Sequence, residues 1–386
     1  MRTRFPTWFN AIVAVTCGLS ACTPRPDDGL GHDGGPTTAS DASPSADGGT
    51  TIRDGATPSD DGGDASTYGG IFTAANVWTN DISADAIDPN SAKITAAIAK
   101  ASSWVADAGA AKMQIDTSRI VLKADGNTPT VPFRQASGYY AADCDNLSSL
   151  PLPAVGAIQG ASRYACDSKD GDCHLLIHSA GTHSLYEIFR AVPETDSSQK
   201  VTAITGVCAV KWNLSYAYPI SLRGDGCVAA DSAGFPVSAM IPDADEVASG
   251  AVRHALRFSL PVASIRSGYY VHPASHFGGP KGTLADLPPT GVRLRLRANY
   301  PVASLPAGAA QVIATALQKY GMFLADGGDV RLAVQGDQLS TKKWSDVAFD
   351  KDMLSGILPG DFDVMLMKEL KGYYSTWPDC VKNAVP

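Results

Sequence analysis

The sequence predicts a mainly β body, an antiparallel β-sandwich or jelly-roll-like fold with a few peripheral α-helices. Two observations carry that expectation. From residue 173 onward, apolar runs of strand length follow one another with Gly and Pro between them, and no regular strand-helix alternation of the α/β kind is present. With 44% of the 386 residues apolar, the chain can bury a substantial core.

Taken in order, Asp88-Pro89 opens a helix, with a capping Asp, Pro at the first helical position, and Ile94, Ile98, Ala101 and Val105 on one face. The helix is expected over 89–107. The run RIVLK (119–123) reads as a strand. Residues 134–172, rich in Gly, Ser, Asp and Pro, read as a long irregular region holding Cys144 and Cys166. HLLIHS and HSLYEIFR then flank Ala180-Gly181 as a hairpin. VTAITGVCAVKW, AVRHALRFSL, SGYYVH and TGVRLRLRAN follow as strands. In the last of these, Val292, Leu294 and Leu296 alternate with Arg293, Arg295 and Arg297, as in a half-buried strand. Residues 307–320 form an amphipathic helix stopped at Gly321, and strands near 322–325 and 330–335 complete the body.

The charge is unevenly spread. There are 31 Lys plus Arg against 39 Asp plus Glu, a net charge of -8 that excludes a basic nucleic-acid binder as the default reading. Most of the acidity lies in residues 23–68, with nine Asp against Arg25 and Arg53 among Gly, Ser, Thr, Ala and Pro. Such a segment cannot bury enough apolar surface to offset its chain entropy, so it is expected to be a disordered, self-repelling tether. Before it, Arg2 and Arg4, the short apolar run Phe9 to Leu19, and Leu19-Ser20-Ala21-Cys22 resemble a bacterial secretory signal closed by a lipobox. That resemblance implies removal of the signal and lipidation of Cys22. The expected layout is therefore a signal over 1–22, a tether over 23–68 and one globular domain over 69–386, held at the cell envelope by a membrane lipid anchor. Six further cysteines (Cys144, Cys166, Cys173, Cys208, Cys227 and Cys380) form an even set that favours disulfides over metal ligation, with 15 complete pairings open. A bridge to Cys380 would pin the C-terminus.

Candidate chemistry begins at the hairpin. A turn centred on Ala180-Gly181 sets His178 opposite His183, Leu176 opposite Leu185 and His174 opposite Glu187, all on one face roughly 15–20 Å long. This is either an acid/base or metal cluster or the solvent-facing polar side of a ribbon. His272 and His276 occupy a Pro- and Gly-containing loop that argues against a helical metal pair, leaving His276 as a substrate-contacting candidate or an ordinary loop residue. His254, in register with Leu256 and Phe258, points to the apolar side and reads as a core histidine or an assisting base. Asp231 is either an acid or a turn former. The row Arg293, Arg295 and Arg297 could clamp an anionic ligand, or could simply be solvated. GxSxG, HExxH, Walker and GxGxxG motifs are absent. No metal or cofactor is expected.

The phrases DCHLLIHSAGTHSLYEIF, AADSAGFPV, DEVASGAVRHALRF, VHPASH, LPPTGVRLRLRAN and ALQKYGMFLADGG, with others between 75 and 364, resemble a group of secreted bacterial proteins. Matching positions include His174, Tyr186, Glu187, Asp231, Glu246, His254, His276 and Asp326. The resemblance implies one domain rather than two and no particular activity. The expectation reached is a glycan-cleaving enzyme, a glycoside hydrolase or polysaccharide lyase. Glu187, His174, Asp231, His254 and His276 are its acid-base candidates, Tyr186, Arg293 and Arg295 its ligand contacts, and an extracellular polysaccharide its partner. The competing expectation is a non-catalytic glycan- or protein-binding surface module.

Overall fold

Among the described residues, sixteen strands and three short α-helices follow in this order: α1 (Ser91–Ser102), β1 (Gln114–Arg119), β2 (Val121–Ala124), β3 (Thr130–Gln135), β4 (Ser149–Pro151), β5 (Leu175–Ser179), β6 (Ser184–Phe189), β7 (Val192–Thr195), β8 (Val201–Gly206), β9 (Cys208–Asn213), α2 (Ala244–Ala248), β10 (Leu256–Leu260), β11 (Tyr269–Val271), β12 (Arg293–Leu296), α3 (Ala309–Lys319), β13 (Met322–Gly327), β14 (Arg331–Gln335), β15 (Phe362–Val364) and β16 (Leu370–Gly372). The structure is a computed structural model that describes residues 70–136, 143–166, 171–372 and 380–382. The expected signal, Cys22 and the tether lie outside the described residues.

The protein is mainly β, as its sequence predicts, but its sheets are mixed rather than antiparallel. The six-stranded sheet has the order β1-β14-β10-β13-β12-β15, with β1 parallel to β14 and β10 parallel to β13. Two four-stranded sheets, β2-β5-β6-β9 and β4-β3-β8-β7, each contain one parallel pair, and β11 pairs with β16. The parallel partners lie far apart in sequence, as in the pairing of Gln114 with Arg331. The crossovers between them run through loops and other strands, and for β10–β13 and β1–β14 through helix α3 as well. No local strand-helix-strand rhythm therefore marks them in the sequence.

The sheet β2-β5-β6-β9 is buried on both faces. Leu185, Val210 and Trp212 face the largest core, which also receives Ile94 and Ile98 of α1 and Ile313 and Leu317 of α3. On the opposite face, Leu175, Ile177, Ile188 and Ala209 pack with Phe133 and Ile204 of the third sheet. The hairpin exists, but its register differs by two residues from the expected one: His178 stands opposite Leu185, and Leu176 opposite Glu187. The cause is the turn, which takes four residues, Ala180 to His183, with His183 left-handed at φ 44°. A slip of two preserves the face, so His174, Leu176, His178, Leu185 and Glu187 do share a side. That side is turned inward, since Leu176, Leu185 and Glu187 are each 0% exposed.

Helix α1 ends five residues before the expected 107, because Ser103 turns left-handed (φ 57°) and Trp104 plugs the core, donating its indole N–H to the Ile357 carbonyl at 2.9 Å. Among the cysteines, three bridges form: Cys144–Cys208, Cys166–Cys173 and Cys227–Cys380. They indicate an oxidising, extracytoplasmic setting. The last one fastens the C-terminal residues, aided by Val381 N–H donating to the Arg223 carbonyl at 2.9 Å. No helix among the described residues is long and apolar enough to cross a membrane.

Candidate active site

Three elements deliver charged side chains to one cleft. Strand β10 brings Arg257, an Arg flanked by the core residues Leu256 and Phe258 and only 2% exposed. Next to it, the register of β13 shifts between Phe258 and Ser259, leaving Ala325 unpaired and aligning Asp326 with Ser259. Such a bulge re-aims the side chain that follows it. Strand β1 brings Asp116 and Arg119, joined at 2.6 Å across a second irregularity of register. Together with Asp172 these residues line a cleft of about 400 Å³.

Asp172 comes from the short loop closed by Cys166–Cys173. Its backbone is fixed as well: Arg190 N–H donates to the Asp172 carbonyl at 2.9 Å, and Ala191 N–H to that of Cys173 at 3.0 Å. The Asp172 side chain remains open to solvent. Even so, desolvation by the cleft walls raises its pKa, and the neighbouring Asp326 carboxylate raises it further against the pull of Arg119, Arg190 and Arg257. Asp326 accepts from Ser232 Oγ at 3.0 Å and from Gly327 N–H at 2.8 Å.

Asp172 and Asp326 also border a smaller recess of about 90 Å³, walled by His174, Phe189 and the segment Val228 to Ser232. Asp231 accepts from Phe235 N–H at 2.8 Å through Oδ1, a turn that Gly234 permits at φ 79°. A Cβ on Gly234 would strike Ser275 Oγ and stand 2.7 Å from the Cys227 carbonyl. The other oxygen, Oδ2, lies 3.1 Å from Arg257 Nη2, which is also 3.9 Å from Asp326. Neither Asp231 Oδ2 nor the two Arg257 Nη atoms make an aligned hydrogen bond, so charge alone holds this contact. Burial raises the Asp231 carboxyl to about 7, opposed by Arg257 and reinforced by Asp326.

Four of the five acid-base candidates converge on the segment 230–238. His174 Nε2 lies 2.8 Å from the Ala230 carbonyl, Asp231 belongs to the segment, His276 Nδ1 lies 3.0 Å from the Ser232 carbonyl, and Glu187 binds Val237 and Ser238. Convergence does not give each of them a chemical role. Glu187 is sealed and accepts four donors: Trp212 Nε1–H (3.1 Å), Val237 N–H (2.9 Å), and Ser238 N–H and Oγ–H (2.8 Å each). It is a structural carboxylate, not an acid or base facing substrate. Burial, then the charge of Arg119, depress the His174 pKa to about 3, so its ring is neutral and braces the recess. His254 is 1% exposed and belongs elsewhere, bonded to the Ala255 carbonyl (2.8 Å) and Glu246 (3.2 Å).

The expected ligand contacts are also corrected. Tyr186 faces the opposite side of its sheet from Glu187, in the core with Phe133 and Ile204. Arg293 donates to the carbonyls of Tyr320, Val77 and Asn80 and lies 4.6 Å above the Phe323 ring. Arg295 donates to the carbonyls of Ile82, Ser83 and Asp85. Arg293 and Arg295 pin the segment 77–85 onto β12, because those carbonyls have no strand partner and need donors, while Arg297 pairs with Asp363 at 3.0 Å.

Sequence reasoning missed Asp172, Arg119, Arg257 and Asp116 as site residues, and took Asp326 only as a matching position. Arg257 carried a usable signal, an Arg between two apolar residues of a buried strand. Among the described residues, no three His, Cys, Asp or Glu side chains group as a metal site. Comparison with protein-family models, with curated proteins and with solved structures finds no match to this chain.

Proposed function

We propose that the body is a glycan-cleaving hydrolase with Asp172 as general acid and Asp326 as its partner carboxylate. The observation that carries this reading is the pair itself. Both carboxylates border the cleft and the recess, and one is biased toward its protonated form by desolvation and by the other. Two carboxyl groups in unlike environments are what glycoside hydrolysis needs. Asp172 gives its proton to the departing glycosidic oxygen as the C–O bond breaks, and water supplies the hydroxyl that ends on the anomeric carbon. Asp326, oriented by Ser232 and charge-balanced by Arg257, either attacks the anomeric carbon or activates the water. The Arg257–Asp231 contact and the Glu187 hydrogen bonds keep the loop and strand in place beneath it. A polar cleft of this volume suits a carbohydrate.

The test is the pH-rate profile on a panel of polysaccharides and aryl glycosides. Asp172→Asn should lower turnover of natural glycans by roughly 10²–10⁴-fold and remove the fall in rate at high pH, with partial rescue on aryl glycosides whose leaving group needs no proton. Rates equal to the parent would refute the assignment. We further propose that Cys22 carries a lipid anchor holding the enzyme at the envelope, so that Cys22→Ser should abolish palmitate labelling and release the protein from membranes.

A further inference from the structure

Beside the two carboxylates lies a recess too small for a sugar and large enough for water. At about 90 Å³ it has room for about three waters. Asp172 and Asp326 both border it, and both also border the cleft of about 400 Å³ in which a sugar would lie. Its wall is polar at the buried end. Asp231 stands there at 4% exposure, and its Oδ2 makes no hydrogen bond although Arg257 Nη2 lies 3.1 Å away. A buried carboxylate oxygen of that kind needs a donor, and in a polar space of this size the donor that fits is water.

Asp326 has one oxygen to offer such a water. Its Oδ1 accepts from Ser232 Oγ at 3.0 Å and from Gly327 N–H at 2.8 Å, while Oδ2 lies 3.9 Å from Arg257 Nη2, beyond hydrogen-bond reach. The recess keeps water against this carboxylate at the edge of the cleft, where a general base needs it; a nucleophilic carboxylate needs the anomeric carbon there instead. We infer that the recess stores the hydrolytic water, that Asp326 acts on it as a general base rather than attacking the sugar, and that hydrolysis is a single displacement with inversion at the anomeric carbon. This rests on the hydrolase reading above. In each turnover the anomeric carbon takes the hydroxyl of water and Asp326 takes its proton, while Asp172 gives a proton to the departing oxygen as the C–O bond breaks. Asp326 then holds the proton that Asp172 has lost. Because both border the recess, its waters carry that proton back and reset the site.

The experiment uses the full chain in detergent with dinitrophenyl α- and β-glycosides of glucose, galactose, xylose and arabinose. Proton NMR of the first sugar released, read before mutarotation, gives its anomeric form. The expected result is the anomer opposite to the substrate's, and no methyl glycoside of retained configuration when methanol is added. Release of the substrate's own anomer would overturn the water assignment and leave the hydrolase standing. Absence of hydrolysis on every aryl and polysaccharide probe would overturn both. Diffraction from crystals of the parent reads the recess without any turnover: ordered waters bonded to Asp326 and Asp231 are expected, and a recess without ordered water contradicts the assignment. Ala229→Leu, which fills the recess, should lower kcat by roughly 10²-fold with KM unchanged, since the sugar lies in the cleft. A rate equal to the parent's contradicts delivery from the recess. If that variant fails to fold, the anomer and the crystal waters still decide.

Discussion

Replacing Glu187 by Gln separates a structural carboxylate from a catalytic one. The four donors that converge on Glu187 match an ionised carboxylate, which only accepts. Gln keeps one acceptor oxygen and turns an NH₂ toward two of those donors. The Ser238 hydroxyl can rotate to accept, but at least one buried N–H from Trp212, Val237 or Ser238 then loses its acceptor, at about 1–3 kcal/mol, and the surviving bonds lose their charge assistance. The sum is about 2–4 kcal/mol. For a body of this size that lowers the melting temperature by roughly 3–6 °C. Differential scanning calorimetry of Glu187→Gln beside Asp172→Asn reads the difference directly. Glu187→Gln should melt early, and its remaining folded fraction should turn over substrate at a rate close to the parent's. Asp172→Asn, at an open position, should melt like the parent and lose turnover. A Glu187→Gln protein with parental melting and no activity would refute the reasoning, because the carboxylate would then be needed for chemistry.

Two further predictions concern stability. Burial alone would lower the pKa of His254, but the Glu246 carboxylate at 3.2 Å outweighs it and raises the value above 6.5, while the same pair, against the opposing effect of burial, lowers Glu246 below 4.5. A raised histidine stabilises fully below its unfolded pKa and loses that contribution as pH rises through the folded value; a lowered carboxylate does so above its own unfolded pKa and loses it in acid. The melting difference between the parent and Glu246→Gln should therefore be greatest between about 4.5 and 6.5 and shrink on either side, and a difference independent of pH would contradict the ion pair. The bridges should divide their roles. In the chain-entropy picture, the loop of sequence separation 153 closed by Cys227–Cys380 contributes about 5 kcal/mol, and the loop of separation 7 closed by Cys166–Cys173 about 2.5 kcal/mol. Replacing the first pair by Ser should cost more stability, and replacing the second should cost more activity, since Asp172 sits inside that loop. Thermal melts and rates in the opposite order would contradict this.

What could be read from the sequence depended on the range of the interaction. Most strand runs, the α3 helix ending at Gly321 and the face shared by His174 and Glu187 are local or follow from period-2 alternation and are present, whereas VTAITGVCAVKW divides at Val207 into β8 and β9 of different sheets. The buried state of that face depends on the largest core, where Leu185 meets Ile94 and Ile98 of α1 and Ile313 and Leu317 of α3 from elsewhere in the chain. No pattern within the hairpin reports that. Asp172 and Asp326 lie far apart in sequence and meet only because the disulfide loop and the bulge at Ala325 aim them at one cleft. The alternating arginines of β12 resemble a solvated face in sequence, yet the partners of Arg293 and Arg295 are carbonyls of the segment 77–85, about 210 residues earlier.

The pairing of β1 with β14 bears on when the chain can fold. Gln114 lies beside Arg331, Asp88 N–H donates to the Val364 carbonyl at 2.8 Å, and Val364 N–H donates to Ser91 Oγ at 2.8 Å. Among the described residues, the first strand thus has no strand partner until the final quarter of the polypeptide has emerged. Loop closure over such separations is slow. A truncation before β14 would leave the two four-stranded sheets their partners but strand β1 with an exposed edge, rather than yield a smaller stable protein.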